Sequence, residues 1–525
     1  MAKLDDVNTT DLRAAAELGC RTMCNVFNAD DDNIAFFSSL IRPETRLASN
    51  DSCTEAHIPG RHLNGLLEAE DVFGIVVDDA SLGYHRHAAM LSFGGPAVLC
   101  MNRPEPGAEA TNFCPHNCRE GFHALYALIL HRDDDEAKQI MERNIATIFD
   151  LWTPEDRWDE ARLKKLGITF QPSEGFIASE ARAIGPLVKL HRATGYAPAL
   201  ELATVFKEKA IKEFYLADGS YDAGRFGTRH AHSVTCVMSG LALLAEWTND
   251  APLLGRVKTF YDRGLWDMRD EVGWSAESAG QEGTDHGETN NSGDILETAI
   301  ILGHAGYTRY YEDAERIIRG HLLPSQLRDN SFIEDPPNPD NIDGKRNVAD
   351  RHLGAWGFPA PYGHVSMAKG RTNLSFNMDI VGGTTASLCE ATRHCVITDG
   401  SGTWVNMLFD HETDAVKIES CYTHEALRVT MKQPGALWVR MPSWVDRAAL
   451  KIDGAEGTPR WANDYLYFAG AIPGKAIELK YPLAVTETAL NPRVHVHPIR
   501  VRMEGDAVAA IDNFGMELTF FDPYE

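Results

Sequence analysis

Four times along this chain an apolar helical stretch is followed by a short polar or glycine-bearing break and then a second helical stretch. The breaks fall at Arg132-Asp133-Asp134, Ala193-Thr194-Gly195, Trp247-Thr248-Asn249 and His304-Ala305-Gly306. Gly195 to Asp250 is 55 residues and Asp250 to Gly306 is 56, one antiparallel helical hairpin per period. Hairpins repeating at such a period stack or close into a helical array, because one hairpin alone cannot bury its apolar face.

The two halves of each hairpin differ in character. Ile177, Ala181, Ile184, Leu187, Val188 and His191 form an apolar stripe at helical spacing, answered by Leu200, Ala203, Phe206, Ala210 and Ile211 in the stretch 197–214. Val234–Ala245 is apolar and small nearly throughout, as an inner helix packed on both sides must be, and Leu253–Leu265 is amphipathic, as an outer helix must be. Residues 1–110 read as the least regular part, with one helix over Asp11–Phe27 and a polar, loop-like stretch over Arg42–Gly65. Asp335-Pro336-Pro337-Asn338-Pro339-Asp340-Asn341 breaks the helical pattern and opens a long cleft-lining excursion, and a last helix covers Thr385–His394.

After Asp399-Gly400 the period changes to two. Thr403–Phe409, Ala415–Glu419, Ala426–Met431, Ala436–Met441, Leu450–Ile452, Leu466–Phe468 and Ala476–Leu479 read as strands, several of them separated by turns such as Asp453-Gly454 and Pro473-Gly474. The fold class expected is α+β multidomain: an (α/α)6-type helical-hairpin toroid over residues 1–398, then an antiparallel β-sandwich over 399–525. The length of 525 residues fits two domains.

A formal charge of −26 argues against nucleic acid as a partner. No run of about 18 apolar residues is present, so no membrane span is expected. The opening Met-Ala-Lys-Leu-Asp-Asp lacks a secretory pattern, which places the protein in the cytoplasm, or in the periplasm or outside the cell if a signal peptide was removed. The ten cysteines are scattered and read as reduced, buried thiols.

Three stretches carry a family resemblance. Arg229-His230-Ala231-His232-Ser233-Val234 resembles a Gly-His-Ala-Val-Arg segment that opens an inner helix; Glu288-Thr289-Asn290-Asn291 is similar to a Glu-Thr-Cys-Asn motif; and Gly382-Gly383-Thr384 with Trp404-Val405-Asn406-Met407-Leu408 is similar to a turn and first sandwich strand. In this order, over roughly Phe176 to Leu483, they resemble the β-L-arabinofuranosidase family of glycoside hydrolases. That resemblance implies a six-hairpin scaffold, a general acid upstream of the Glu-Thr motif at Glu282 or Glu277, and a cysteine nucleophile beside zinc. The matching positions, however, carry Asn290 and Ile380-Val381 where the family has cysteines, and of the metal ligands only Glu288 is kept. Amide and aliphatic groups cannot replace thiolates on zinc, so no metal and no cofactor are expected.

The densest set of candidate catalytic groups is Glu277, Glu282, Asp285, His286 and Glu288. Glycoside hydrolysis needs two carboxyl groups flanking the scissile bond, one protonated and one ionised. His230 and His232 head an inner helix, where a side chain points into the cleft; His232 is a candidate catalytic group and His230 a substrate contact. Arg229, with Arg351 and His352, offers cations for a charged sugar substituent, and Trp274, Trp356 and Tyr362 offer stacking walls. Cys114-Pro115-His116-Asn117-Cys118 lacks a second ligand pair, and Asp335–Asp350 matches no calcium loop.

The expected function is therefore an exo-acting glycoside hydrolase on oligosaccharides from plant or algal polysaccharides, with carboxylate acid/base catalysis. The alternatives are a uronate-oligosaccharide lyase or dehydratase using His or Tyr with Arg, and a catalytically silent carbohydrate-binding relative. The partners expected are an oligosaccharide substrate and a second copy in a homodimer, with no nucleic acid and no membrane.

Overall fold

The computed structural model describes residues 3–4, 10–173, 175–227, 229–280, 285–367, 374–495 and 497–525. Helices dominate to residue 395 and strands thereafter. The helices are α1 (Leu12–Met23), α2 (Thr54–Phe73), α3 (Asp79–Ser92), α4 (Cys118–Arg132), α5 (Asp135–Leu151), α6 (Glu160–Lys165) and α7 (Ile184–Thr194). They continue as α8 (Ala197–Glu213), α9 (Ala231–Thr248), α10 (Ala251–Asp262), α11 (Thr289–His304), α12 (Tyr310–Ile317), α13 (Val348–His352) and α14 (Met378–Cys395). All four breaks read from the sequence fall between consecutive helices. Asp133, Gly195 and Asn249 terminate α4, α7 and α9 with left-handed φ of 49°, 69° and 54°. Asp134 and Asp250 then cap α5 and α10 through their side chains.

Six helices are buried on nearly every side: α2, α4, α7, α9, α11 and α14. Among these, α2 packs on α4, α4 on α7, α7 on α9, α9 on α11, α11 on α14 and α14 on α2. Each has an outer companion: α3 lies on α2, α5 on α4, α8 on α7, α10 on α9, α12 on α11 and α1 on α14. Glycines set the closest approaches. A Cβ on Gly60 of α2 would lie 1.8 Å from the Glu120 carbonyl oxygen, one on Gly382 of α14 would lie 2.4 Å from the Arg61 carbonyl oxygen, and one on Gly240 of α9 would lie 2.7 Å from the Gly185 nitrogen.

Several expectations are corrected. Arg42–Gly65 is not a loop throughout, because its second half is α2. That helix is buried from Thr54 to Ala69 and so has no polar face for a helical period to reveal, while Pro59, Gly60 and Gly65 read as breakers. The described part of residues 1–110 therefore contains three helices rather than one. The helix expected over 177–191 begins at Ile184 after a 3₁₀ turn, Glu180–Ala183. The last helix begins seven residues earlier than Thr385, at Met378, its start masked in the sequence by Gly382 and Gly383. The first ends at Met23, short of Phe27.

The strands read from the sequence are present, each within a few residues. They form one sheet ordered 396–399, 402–405, 435–440, 465–471, 460–462, and a second ordered 411–412, 416–419, 427–431, 476–480, 451–453. Val405, Leu437, Val439, Leu466 and Phe468 of the first share a core with Val416, Ile418, Leu427, Val429, Ile477 and Leu479 of the second. A further sheet, 485–489, 500–504, 507–511 and 522–523, contributes Val501, Met503, Val508 and Ile511 to the helical core instead. Among the described residues no helix is long and apolar enough to cross a membrane.

Two glycine substitutions separate close packing from helix propensity. Gly60→Ala should lower stability by about 3 kcal/mol, the upper end of ordinary overpacking. Gly83→Ala in α3, whose Cβ would meet nothing within 4 Å, should raise it by about 0.5–1 kcal/mol. Thermal denaturation of the two variants against wild type reads both signs.

Candidate active site

The N-terminal ends of the buried helices bring a dense set of ionisable side chains together. His57 and Arg61 lie four apart on α2, Arg119 and Glu120 open α4, Arg182 precedes α7, His232 opens α9, Glu288 caps α11 and Asp379 opens α14. Helix N-termini favour carboxylates, and four of these helices carry one in or beside the first turn: Glu55, Glu120, Glu288 and Asp379. Glu120 is the hub: its Oε1 lies 2.9 Å from Arg182, 3.1 Å from Arg61 and 3.3 Å from Arg119. Burial alone would raise its pKa, but Arg182, with His57, Arg61 and Arg119, holds the carboxyl well below the usual range.

Around this hub Arg119 pairs with Asp294 at 2.9 Å, and His57 lies 3.3 Å from Asp379 while its Nδ1 donates to Asn117 at 2.9 Å. Burial, helped by Arg61, Arg182 and Arg119, keeps His232 well below the ordinary histidine pKa, so its imidazole is neutral. Arg61 donates to His232 Nε2 at 3.0 Å, which leaves Nδ1, 3.5 Å from Glu288, to carry the proton. Burial pushes the Asp294 carboxyl up to about 7 despite Arg119.

Glu288, itself buried, lies beside this cluster. Its Oε2 lies 3.3 Å from Nε2 of His230, a half-buried side chain, and its Oε1 accepts from the Asn290 amide at 3.2 Å. The same Asn290 nitrogen reaches Asp379 at 3.4 Å. Asn290 Oδ1 and Asp379 Oδ1 are buried acceptors without a donor among the described residues. The rings of His57, His116, His230 and His232 follow one another at centroid distances of 5.6 to 5.8 Å.

Glu277 belongs to the same mouth. A short antiparallel pairing sets Ala276 opposite Gly287, with Glu277 N–H donating to the His286 carbonyl and Glu288 N–H to that of Ser275. Alternation along the two strands then turns Glu277, His286 and Glu288 to one face, with Glu277 and Glu288 as diagonal neighbours about 7–8 Å apart. His286 lies 3.8 Å from Glu277 and stacks on Phe358.

Other sequence candidates are placed elsewhere. Glu282 lies outside the described residues. Trp274 and Trp356, expected as cleft walls, are fully buried and donate to the carbonyls of Pro359 and Leu322. Asp285 is fully buried as well: it accepts from the Tyr362 hydroxyl at 3.2 Å and lies 3.0 Å from His495, so both Asp285 and Tyr362 belong to an internal network rather than the mouth. Arg351 pairs with Asp343 at 3.1 Å and His352 donates to the Val348 carbonyl, both on α13, whose Asp350 accepts from Arg21 of α1. Arg229 sits beside the site with a left-handed φ of 59°, its guanidinium against Gly280. Sequence reasoning missed Arg61, His57, Glu120, Arg182 and Asp379. The four-residue spacing of His57 and Arg61 was the available signal.

The thiolate zinc set implied by the family resemblance does not fit these residues. Asn290 presents an amide, and Ile380 and Val381 are core side chains, 1% and 0% exposed. Asp379, next in sequence, is the α14 residue that meets Asn290. Among the described residues, two other sets gather ligand atoms within 4.8 Å: His230, His232 and Glu288, and His232, Cys236 and Asp294. In the second, Arg61 and Arg119 already occupy His232 and Asp294.

No family model matches the sequence, and no curated protein matches it. Solved structures do. A GH127 β-L-arabinofuranosidase from Geobacillus stearothermophilus T6 superposes with a TM-score of 0.55 at 16% identity, covering 86% of this chain and 75% of its own. A second GH127 β-arabinofuranosidase gives 0.57 at 14% identity over 94% and 79%, and a glycoside hydrolase gives 0.54 at 13% over 86% and 76%. The chain shares the scaffold of the GH127 enzymes. At these identities the likeness is one of fold.

His495 offers a pH test of how the strand region is tied to the helices. Burial lowers its pKa, but hydrogen bonds to Asp270 and Asp285, at 2.9 and 3.0 Å, raise it to about 9. A pKa raised on folding contributes stability fully present below about pH 6.5 and lost as pH rises through 9, worth about 3 kcal/mol. Urea denaturation should therefore show His495→Gln far below wild type at pH 6, with most of that gap closed at pH 10.

Proposed function

We propose that the protein is a carbohydrate-active enzyme, a glycoside hydrolase that uses Glu277 and Glu288 as its carboxylate pair. The contact order of the six buried helices and their companions supports reading residues 1–398 as an (α/α)6 toroid, and the shared core of the two five-stranded sheets supports reading the strand region as a β-sandwich. The observation that carries the functional reading is the pairing of 275–277 with 286–288, which turns two carboxylates to one face at the mouth of the inner helices. Glu288 is held by His230 and Asn290, and Glu277 is the more exposed of the two. The acceptor oxygens of Asn290 and Asp379 suit sugar hydroxyls. An exo mode on oligosaccharides from plant or algal polysaccharides fits a mouth backed by a closed, charged floor.

One observation favours a second reading, β-elimination on a uronate. His232 is a neutral imidazole whose Nε2 accepts from Arg61; a uronate carboxylate that drew the Arg61 guanidinium to itself would free that lone pair to act as the base that elimination needs.

Oligosaccharides with and without uronates, followed for released sugar and for the ultraviolet absorbance of an unsaturated product, decide between them. Hydrolysis releases sugar without absorbance, and Glu288→Gln and Glu277→Gln should each lower kcat by about 10²–10⁴. Absorbance abolished by His232→Ala, with both glutamate variants active, would reject the hydrolase reading.

A further inference from the structure

The sequence bet on Trp274 and Trp356 as sugar walls and the fold buries both, but it leaves another aromatic group half-exposed. Trp404 pairs in register with Trp438 of the neighbouring parallel strand, and Trp438 with Tyr467 of the next. All three project from the face opposite the sheet core, since Val405, Val439, Leu466 and Phe468 point inward. The two indoles stack at 4.4 Å with 5° between their planes, and Tyr467 follows at 4.3 Å. This face does not end in open solvent. It forms one side of a cavity of about 480 Å³, whose other side is the turn from α11 to α12 with His304, Gly306 and Thr308. A cavity of this size at a junction between two structural units is within the range of small-ligand sites.

The chemistry of the walls narrows the ligand. The Trp404 N–H is spent on Asp399 and Ser401, at 3.3 and 3.1 Å, and the Trp438 N–H on the Ser401 carbonyl at 3.2 Å. What the indoles give the cavity is therefore carbon surface, continued by Ile397. The rim is polar: Asp399, Asn463, Thr308 and His304 stand around it. An apolar floor within a polar rim complements a ring that carries C–H groups on one face and hydroxyls at its edge. Asp399 is held ionised by hydrogen bonds from Ser401, which disfavours an anionic ligand. None of these residues belongs to the mouth at Glu288.

We propose that this cavity is a second, non-catalytic carbohydrate site, taking a neutral sugar unit of the polymer whose other end is worked on at the mouth. The ligand class rests on the functional reading above; the geometry does not. The site would hold the protein on an extended chain and leave the turnover of short substrates untouched.

Native gel electrophoresis through soluble neutral polysaccharides tests it, with wild type, Trp404→Ala and Ala462→Phe compared. Ala462 is an exposed cavity residue, and its replacement fills the space without removing the aromatic stack. Wild type should be retarded by at least one polymer, and both variants should bind at least tenfold more weakly. The same variants should turn over a short oligosaccharide at the wild-type rate. Retardation unchanged in Ala462→Phe, or retardation lost only in Glu288→Gln, would overturn the proposal, as would the absence of retardation in every polymer. Retardation sensitive to Ala462→Phe in a protein that turns over no glycoside would leave this site standing and reject the enzyme reading instead.

Discussion

The structure depends on how three guanidinium groups are neutralised inside a helical body. Arg61, Arg119 and Arg182 converge on the Glu120 carboxylate, and each comes from a different segment of chain. Isolated buried charges cost several kcal/mol each, so this cluster is tolerable only when every helix that feeds it is in place. Asp294 and Asp379 extend the compensation to α11 and α14. The cluster thus ties the N-terminal ends of the buried helices to one another with charge-assisted bonds that have strict geometry. Apolar packing alone would leave those ends free to slide.

That same compensation shapes the chemistry above it. Glu288 sits at the edge of the cluster, buried, where Asn290 and His232 lie close enough to orient it. His232 is kept neutral by burial and by three neighbouring cations, so the site can offer a carboxylate and an unprotonated imidazole side by side. The thiolate set that the family resemblance implies finds amide, carboxylate and imidazole groups on these helix ends instead. A shared backbone frame therefore does not carry a shared nucleophile.

Much of the fold was legible because it rests on local patterning. The breaks at Asp133, Gly195 and Asn249 announced themselves by residues that tolerate left-handed backbone, and the strands by their period of two. The helix that matters most for the site, α2, was illegible for a physical reason: a helix buried on every side has no polar face, and its glycines serve contacts with Glu120 and Gly382 rather than turns. Glu288, His230 and His232 each stand at the head of a helix whose start the sequence marks. Trp274, Trp356 and Asp285 misled because an aromatic or acidic residue near a motif looks the same whether it lines a cleft or fills a core.

By itself, the sequence determined the hairpin period and the switch from helix to strand near residue 399. Those follow from neighbours along the chain. Only the tertiary structure decided that Arg61, Glu120, Arg182 and Asp379, spread over more than 300 residues of sequence, meet in one charged floor. It also decided which tryptophans stay accessible, because burial is a property of the packed helices and sheets and not of any residue's local pattern.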